Sequence, residues 1–296
     1  MSGLLLLLVL PIGTVFASPL SFNYVMSDAR LAGSSQFQAV VDAMRAADED
    51  KLPNSEYRLN WGNKLPGKEG SNKLFVSVNE TYFKRPVYAK LIKLYEQNVF
   101  TPEVCTAEPK TTGIRKAMFM DVLDAWTDTA VFKLAYKYLV DIGKADAKLS
   151  NFKDYLFKFW FGMYERCTGK VGSSGFEHVF SGEWKKKTVD GQHNWVRFYQ
   201  IEKADNIRYE GYYHYDGQLT GTFKYTWAKE MKNMGGFLFG TSPAFDFSLL
   251  TMCAMTSYGE GSCQFSIDNY PLKVTIFTED CVGGGKCLST AYPEDM

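Results

Sequence analysis

Thr168-Gly-Lys-Val-Gly-Ser-Ser-Gly175 is where the chain changes character. Before it, apolar residues recur with helical spacing. Phe37, Val40, Val41 and Met44 share one face, with Ser34-Ser35 placed to cap it. Pro86 suits a helix start ahead of Val87, Leu91, Ile92 and Tyr95. An apolar-periodic stretch runs from Ile114 to Val140, and Tyr155 to Tyr164 supplies another bulky helix. Beyond it, Gly172-Ser-Ser-Gly175 reads as a turn, after which short aromatic and β-branched runs alternate with Gly and Asp. Trp195 to Tyr199, Tyr209 to Tyr215, Thr222 to Trp227 and Leu272 to Phe277 are predicted strands, with one helix intruding after Pro243. Strands that follow helices, rather than alternate with them, predict an α+β fold and not a doubly wound sheet.

At the N-terminus, Leu4 to Leu10 form an apolar run too short to span a bilayer, ending near Val15-Phe-Ala-Ser18. This is the pattern of a secretory signal cleaved after Ala17 and predicts a secreted, soluble protein with no membrane span. The division expected is a signal over residues 1–17, a helical region over 18–168 and a β-rich region over 169–296. Six cysteines accompany the signal, an even count that suits disulfides in an exported chain. The short intervals make Cys253 with Cys263 and Cys281 with Cys287 attractive pairs, leaving Cys105 with Cys167. No C-x-x-C pair supports a zinc site. Asn79-Glu-Thr81 is a glycosylation sequon.

Lys and Arg number 33 against 33 Asp and Glu, so the whole molecule has no field to attract nucleic acid and any such contact needs a local patch. Lys185-Lys-Lys187 reads first as a solvated face. Histidine is scarce: His178, His193 and His214 are the full set. His178 and His193 stand close in sequence, each beside glycines, and two imidazoles near neutral pH supply one base and one acid. That pairing suits cleavage of a phosphodiester by an adjacent hydroxyl. There is no H-E-x-x-H and no G-x-S-x-G. Gly283-Gly-Gly-Lys286 is not a phosphate loop, because Asp280 stands where the first glycine belongs and Cys287 replaces Ser or Thr; it reads as a turn between strands.

Gly175-Phe-Glu-His-Val-Phe-Ser-Gly-Glu183, His193-Asn-Trp195 and Phe239-Gly-Thr-Ser-Pro-Ala-Phe245 closely resemble the EndoU family of poly(U)-specific endoribonucleases. So do Phe83-Lys-Arg-Pro-Val-Tyr88 and Ser289-Thr-Ala-Tyr-Pro293, and the order holds from about residue 25 to the C-terminus. The resemblance implies a helical N-terminal region followed by a catalytic region of two antiparallel sheets with flanking helices. It implies cleavage of single-stranded RNA at uridylates to 2′,3′-cyclic phosphate ends, stimulated by Mn²⁺ and, in some members, Ca²⁺; a monomer is expected.

Carried over by position, His178 and His193 are the two catalytic histidines and Lys232 the catalytic lysine, with Lys224 and Lys229 as nearby rivals. Thr290 and Tyr292 match the segment that approaches ribose and uracil, and Glu177 and Glu183 are acidic positions that orient the first histidine or attract a cation. The metal ligands are not assigned. Two departures stand out. Asn233 follows the lysine where many relatives have Pro, and Gly236 stands where they have a serine that recognises uracil in the coronavirus relatives. Gly236 therefore predicts a looser uridine preference. A secreted RNA-binding or interaction protein with little turnover is the alternative, and the intact His178, His193 and Lys232 speak against it. A purely structural disulfide protein leaves the paired histidines unexplained.

Overall fold

A computed structural model describes residues 34–70, 73–257 and 261–295, so the expected signal over 1–17 lies outside the described residues. Helix α1 (34–47) buries Val41 and Met44 as expected, and Ser34 and Ser35 are themselves helical. Residues 38–296 form one compact unit. A two-stranded ribbon, β1 (Tyr57–Leu59) with β2 (Phe75–Val78), interrupts the otherwise helical first half.

Four helices follow. In α2 (Pro86–Glu96), Pro86 occupies the first turn and Val87, Tyr88, Leu91, Leu94 and Tyr95 make the buried stripe. The stretch expected to run from Ile114 to Val140 is two helices, α3 (Gly113–Thr127) and α4 (Ala130–Asp141). Thr129 breaks it by accepting a hydrogen bond from Phe132 N, the N-cap geometry that starts a new helix. In α5 (Leu149–Phe161) the helix stops at Gly162 instead of reaching Tyr164. A Cβ on Gly162 would meet Cys287 Sγ and the Lys158 carbonyl at 2.3 Å, so only glycine fits where the chain leaves the helix.

The second half holds the two larger sheets that the resemblance implies, joined by a second small ribbon. That ribbon pairs β3 (Met163–Cys167) with β4 (Lys170–Ser174). Gly172 to Ser174, expected as a turn, thus belong to a strand. β5 (Glu183–Lys185), β6 (Thr188–Asp190), β7 (Ile207–Asp216), β8 (Thr220–Trp227) and β9 (Glu230–Gly235) make a sheet in the order β5-β6-β9-β8-β7. Its β6–β9 contact is parallel and the rest antiparallel. β10 (Gly261–Ile267), β11 (Tyr270–Asp280) and β12 (Lys286–Asp295) make the other, with Gly283, Gly284 and Gly285 at positive φ in the β11–β12 turn. The glycine run is the inter-strand turn its sequence suggested.

Trp195 to Tyr199 is not a strand but the start of α6 (Trp195–Lys203). Asn194 caps it by accepting from Arg197 N, and Trp195, Val196, Phe198 and Ile201 turn inward with helical rhythm. Capping and burial here override the strand preference of the aromatic and β-branched residues. Helix α7 (Pro243–Thr256), expected after Pro243, is buried almost all round and packs against α2, α3 and α4 as well as the three-stranded sheet. Ser242 caps it, and Trp160 Nε1 donates to Thr251 Oγ1 at 2.9 Å from its middle. All three expected disulfides are present: Cys105–Cys167, Cys253–Cys263 and Cys281–Cys287. No described helix is long and apolar enough to cross a membrane.

Candidate active site

The two histidines arrive from neighbouring turns that hold each other. His178 lies on the π-helical turn Glu177–Ser181, directly after β4. Gly191-Gln192-His193 crosses over that turn, with Gln192 N donating to His178 O and His193 N to Val179 O, both at 2.7 Å. The crossing requires Gly191. Its φ is +68°, and a Cβ there would sit 2.1 Å from the His178 carbonyl oxygen. This is the physical reason for glycine beside the second histidine. The two imidazole centroids end up 5.7 Å apart.

Each ring spends its Nδ1 on the protein. His178 Nδ1 lies 2.9 Å from Glu183 Oε2 and His193 Nδ1 lies 3.2 Å from the Gly236 carbonyl. A carboxylate and a carbonyl only accept, so both Nδ1 atoms carry hydrogen and both Nε2 atoms are left for a substrate. Arg166 Nη1, itself a donor, approaches His178 Nδ1 at 3.1 Å as a charge and bonds the same Glu183 oxygen at 3.1 Å. The far oxygen of Glu183 accepts from Ser173 Oγ. His193 is stacked on Tyr292, with centroids 4.8 Å apart. Burial, then the Lys232 and His178 charges, push His193 well below the ordinary imidazole range.

Lys232 reaches in from β9, where it faces Tyr225 of β8, and its Nζ donates to the Gly191 carbonyl at 2.8 Å. Burial brings its pKa down to about 8, against the opposing pull of Asp190. Of its rivals, Lys224 is committed elsewhere, to Glu69 and Glu210. His178, His193, Lys232, Gly236, Thr290 and Tyr292 all line one cleft of about 900 Å³ between the two larger sheets. The Thr290 hydroxyl is buried with no hydrogen-bond partner among the described residues, as is that of Thr275 on the adjoining strand.

The family profile for Endoribonuclease XendoU matches residues 36–293. The chain belongs to the XendoU family.

XendoU-family relatives are similar across most of this chain. The uridylate-specific endoribonuclease of Mus musculus is 34% identical over 85% of it, although the chain spans only 62% of the mouse protein's length. Uridylate-specific endoribonuclease D of Xenopus laevis is 31% identical over 88% of this chain and 89% of its own. The solved structure of XendoU, described as a splicing independent snoRNA processing endoribonuclease, superposes with a TM-score of 0.76. It is 29% identical and covers 88% of this chain and 97% of its own.

Not every XendoU-type residue expected from the sequence meets in the cleft. Glu183 is buried behind the cleft and reaches it only by bonding His178. Glu177 does not line it: both its carboxylate oxygens are buried without partners among the described residues, and burial, reinforced by Glu183 and Glu108, raises its pKa far above the carboxylate range. Arg166 and Asp190, joined by a 2.5 Å ion pair, line the cleft and were not singled out from the sequence. They carry no motif of their own, and only the pairing of β3 and the β6 end with the histidine turns brings them in. The Mn²⁺ or Ca²⁺ that the resemblance implies finds no matching ligand set: no group of three or more His, Cys, Asp or Glu among the described residues is arranged to hold a metal ion. Glu183 and Asp190 are instead engaged by Arg166 and His178.

Proposed function

We propose that this chain is a secreted endoribonuclease that cuts single-stranded RNA at uridylates by attack of the ribose 2′-hydroxyl on the adjacent phosphate. The observation that carries the reading is the convergence of two Nε2-presenting histidines and a lysine in one cleft. The names of the relatives set the substrate class, and the apolar N-terminal run with three disulfides supports export.

His193 serves as the base. Its depressed pKa keeps Nε2 free of a proton, and the Gly236 carbonyl fixes the tautomer. The 2′-oxygen loses its proton to His193, forms a bond to phosphorus, and the P–O5′ bond breaks. His178 gives its Nε2 proton to the departing O5′, with Glu183 balancing the charge of the protonated ring. Lys232 faces the negative charge that grows on the non-bridging oxygens. The products are a 2′,3′-cyclic phosphate and a 5′-hydroxyl, so atoms and protons balance without another reactant. Thr290 and Tyr292, which both line the cleft, supply the contacts to ribose and uracil, while Gly236 has no side chain to add a third.

The test is incubation of the mature protein with a short RNA holding one uridine, followed by mass spectrometry. The expected 5′ fragment is lighter than the linear monoester by one water. Uncut RNA after contaminating ribonuclease is excluded, or a first product ending in a linear phosphate, would refute the reading.

A further inference from the structure

Gly191-Gln192-His193 is a strap on which all three proposed catalytic groups converge. Its backbone bonds the His178 turn at two points, its last residue is His193, and its first carbonyl accepts from Lys232. Gln192 is fully buried and sits in the left-handed region at φ +63°, an unusual conformation for a residue with a side chain. Something outside the strap must hold it there. Its side-chain carbonyl accepts from Tyr225 Oη at 2.7 Å and its amide donates to the Asn194 carbonyl at 3.0 Å. Tyr225 and Lys232 are direct partners across β8 and β9, so their side chains leave the same face of the sheet. One grips Gln192 and the other grips Gly191. Gly235 clears the space, since a Cβ there would meet the Tyr225 ring at 2.8 Å.

We propose that Tyr225 is a positioning residue for His193 and Lys232, acting through Gln192 to clamp the strap over the His178 turn; this rests on the endoribonuclease reading above. Tyr225 is buried and does not line the cleft, so it touches no substrate. Its hydroxyl is the one polar atom of the ring, and removing it leaves the Gln192 carbonyl unpaired in the interior.

The experiment compares Tyr225→Phe, Gln192→Gly and the double variant in the full mature chain. Glycine adopts φ +63° without strain, so Gln192→Gly removes the grip and keeps the backbone preference. Each single variant is expected to lose about 10- to 100-fold in kcat with KM nearly unchanged, the effect of misplacing reacting groups by a fraction of an ångström to one ångström. The double variant should lose no more than either single one, because both cut the same link. The His193 ring resonances, followed by NMR with folding checked by circular dichroism, should move in both single variants. Wild-type kcat and wild-type His193 resonances in Tyr225→Phe would overturn the proposal, as would additive losses or a loss confined to KM. If the wild-type protein cuts no RNA, the endoribonuclease reading fails, and the His193 resonances alone decide the clamp. If Tyr225→Phe does not fold, Gln192→Gly decides it.

Discussion

In the proposed reaction, His193 and Lys232 carry opposite demands on one cleft. The base must be neutral and the lysine charged, and burial shifts both pKa values down. For His193 that favours function, since the free base persists into acid solution. For Lys232 it sets a limit: the charge facing the phosphate is lost as pH rises through about 8. The pH profile of kcat/KM should therefore contain an alkaline ionisation near 8. Lys232→Arg, slower but charged throughout, should lack it; an unchanged alkaline ionisation would place it on another group. Replacing either histidine by Ala should lower turnover by about 10²- to 10⁴-fold with the fold retained, the usual effect of losing an acid or base. Wild-type rates in His178→Ala or His193→Ala would remove that residue from the chemistry. The two histidines stood out in the sequence because histidine is scarce and stands beside glycine, while the roles given to them and to Lys232 came with the family resemblance. Arg166, Asp190 and the Tyr225 hydroxyl did not stand out, because an ion pair or hydrogen bond across 24 or 33 positions leaves no local pattern.

The elements divide by how local their cause is. The helices α2 and α7 follow from Pro at the first turn and from apolar spacing, and both were readable. α6 was not, because Trp195, Val196, Phe198 and Tyr199 favour strands and the decisive signal is a single cap. Asn194 does two jobs at once: Oδ1 caps α6 and Nδ2 donates to Asp246 Oδ2 at 3.2 Å at the start of α7. Asn194→Ala should destabilise the protein by about 1–3 kcal/mol, combining a lost cap with an unpaired buried group. Urea unfolding measures it, and a change within error would show that α6 needs no cap. The break between α3 and α4 has the same origin in Thr129. Periodicity runs straight through it.

For the whole molecule, the order of helices before sheets was visible as a change in composition, whereas the number of sheets was not. The short strands of β1–β2 and β3–β4 are held by partners rather than by their own sequence. The same interior that forms the fold also makes its stability depend on pH. Asp246 is buried at the base of α7 and its pKa rises from 3.8 to about 8. The unfolded chain gives up this proton near pH 4 and the folded chain keeps it, so Asp246 contributes stability below that pH that is lost as pH rises through about 8. Glu202, raised to about 7, and Asp48, also raised, add the same sign. The depressed His193 opposes this trend below its ordinary value of 6.5. The melting temperature should therefore fall between pH 6.5 and about pH 8, and Asp246→Asn should flatten part of that fall. Parallel curves for variant and wild type would contradict it.

The most direct test of the chemistry is cleavage of an oligodeoxynucleotide carrying a single ribonucleotide, varied through U, C, A and G, beside the all-deoxy strand. The expected result is a single cut on the 3′ side of the ribonucleotide, fastest at uridine but measurable at another base because Gly236 offers no side chain to uracil, and no cut in the all-deoxy strand. Absolute selectivity for uridine would correct only the role given to Gly236. Cleavage of the all-deoxy strand would contradict the central claim, because without a 2′-hydroxyl neither His178, His193 nor Lys232 has a nucleophile to activate.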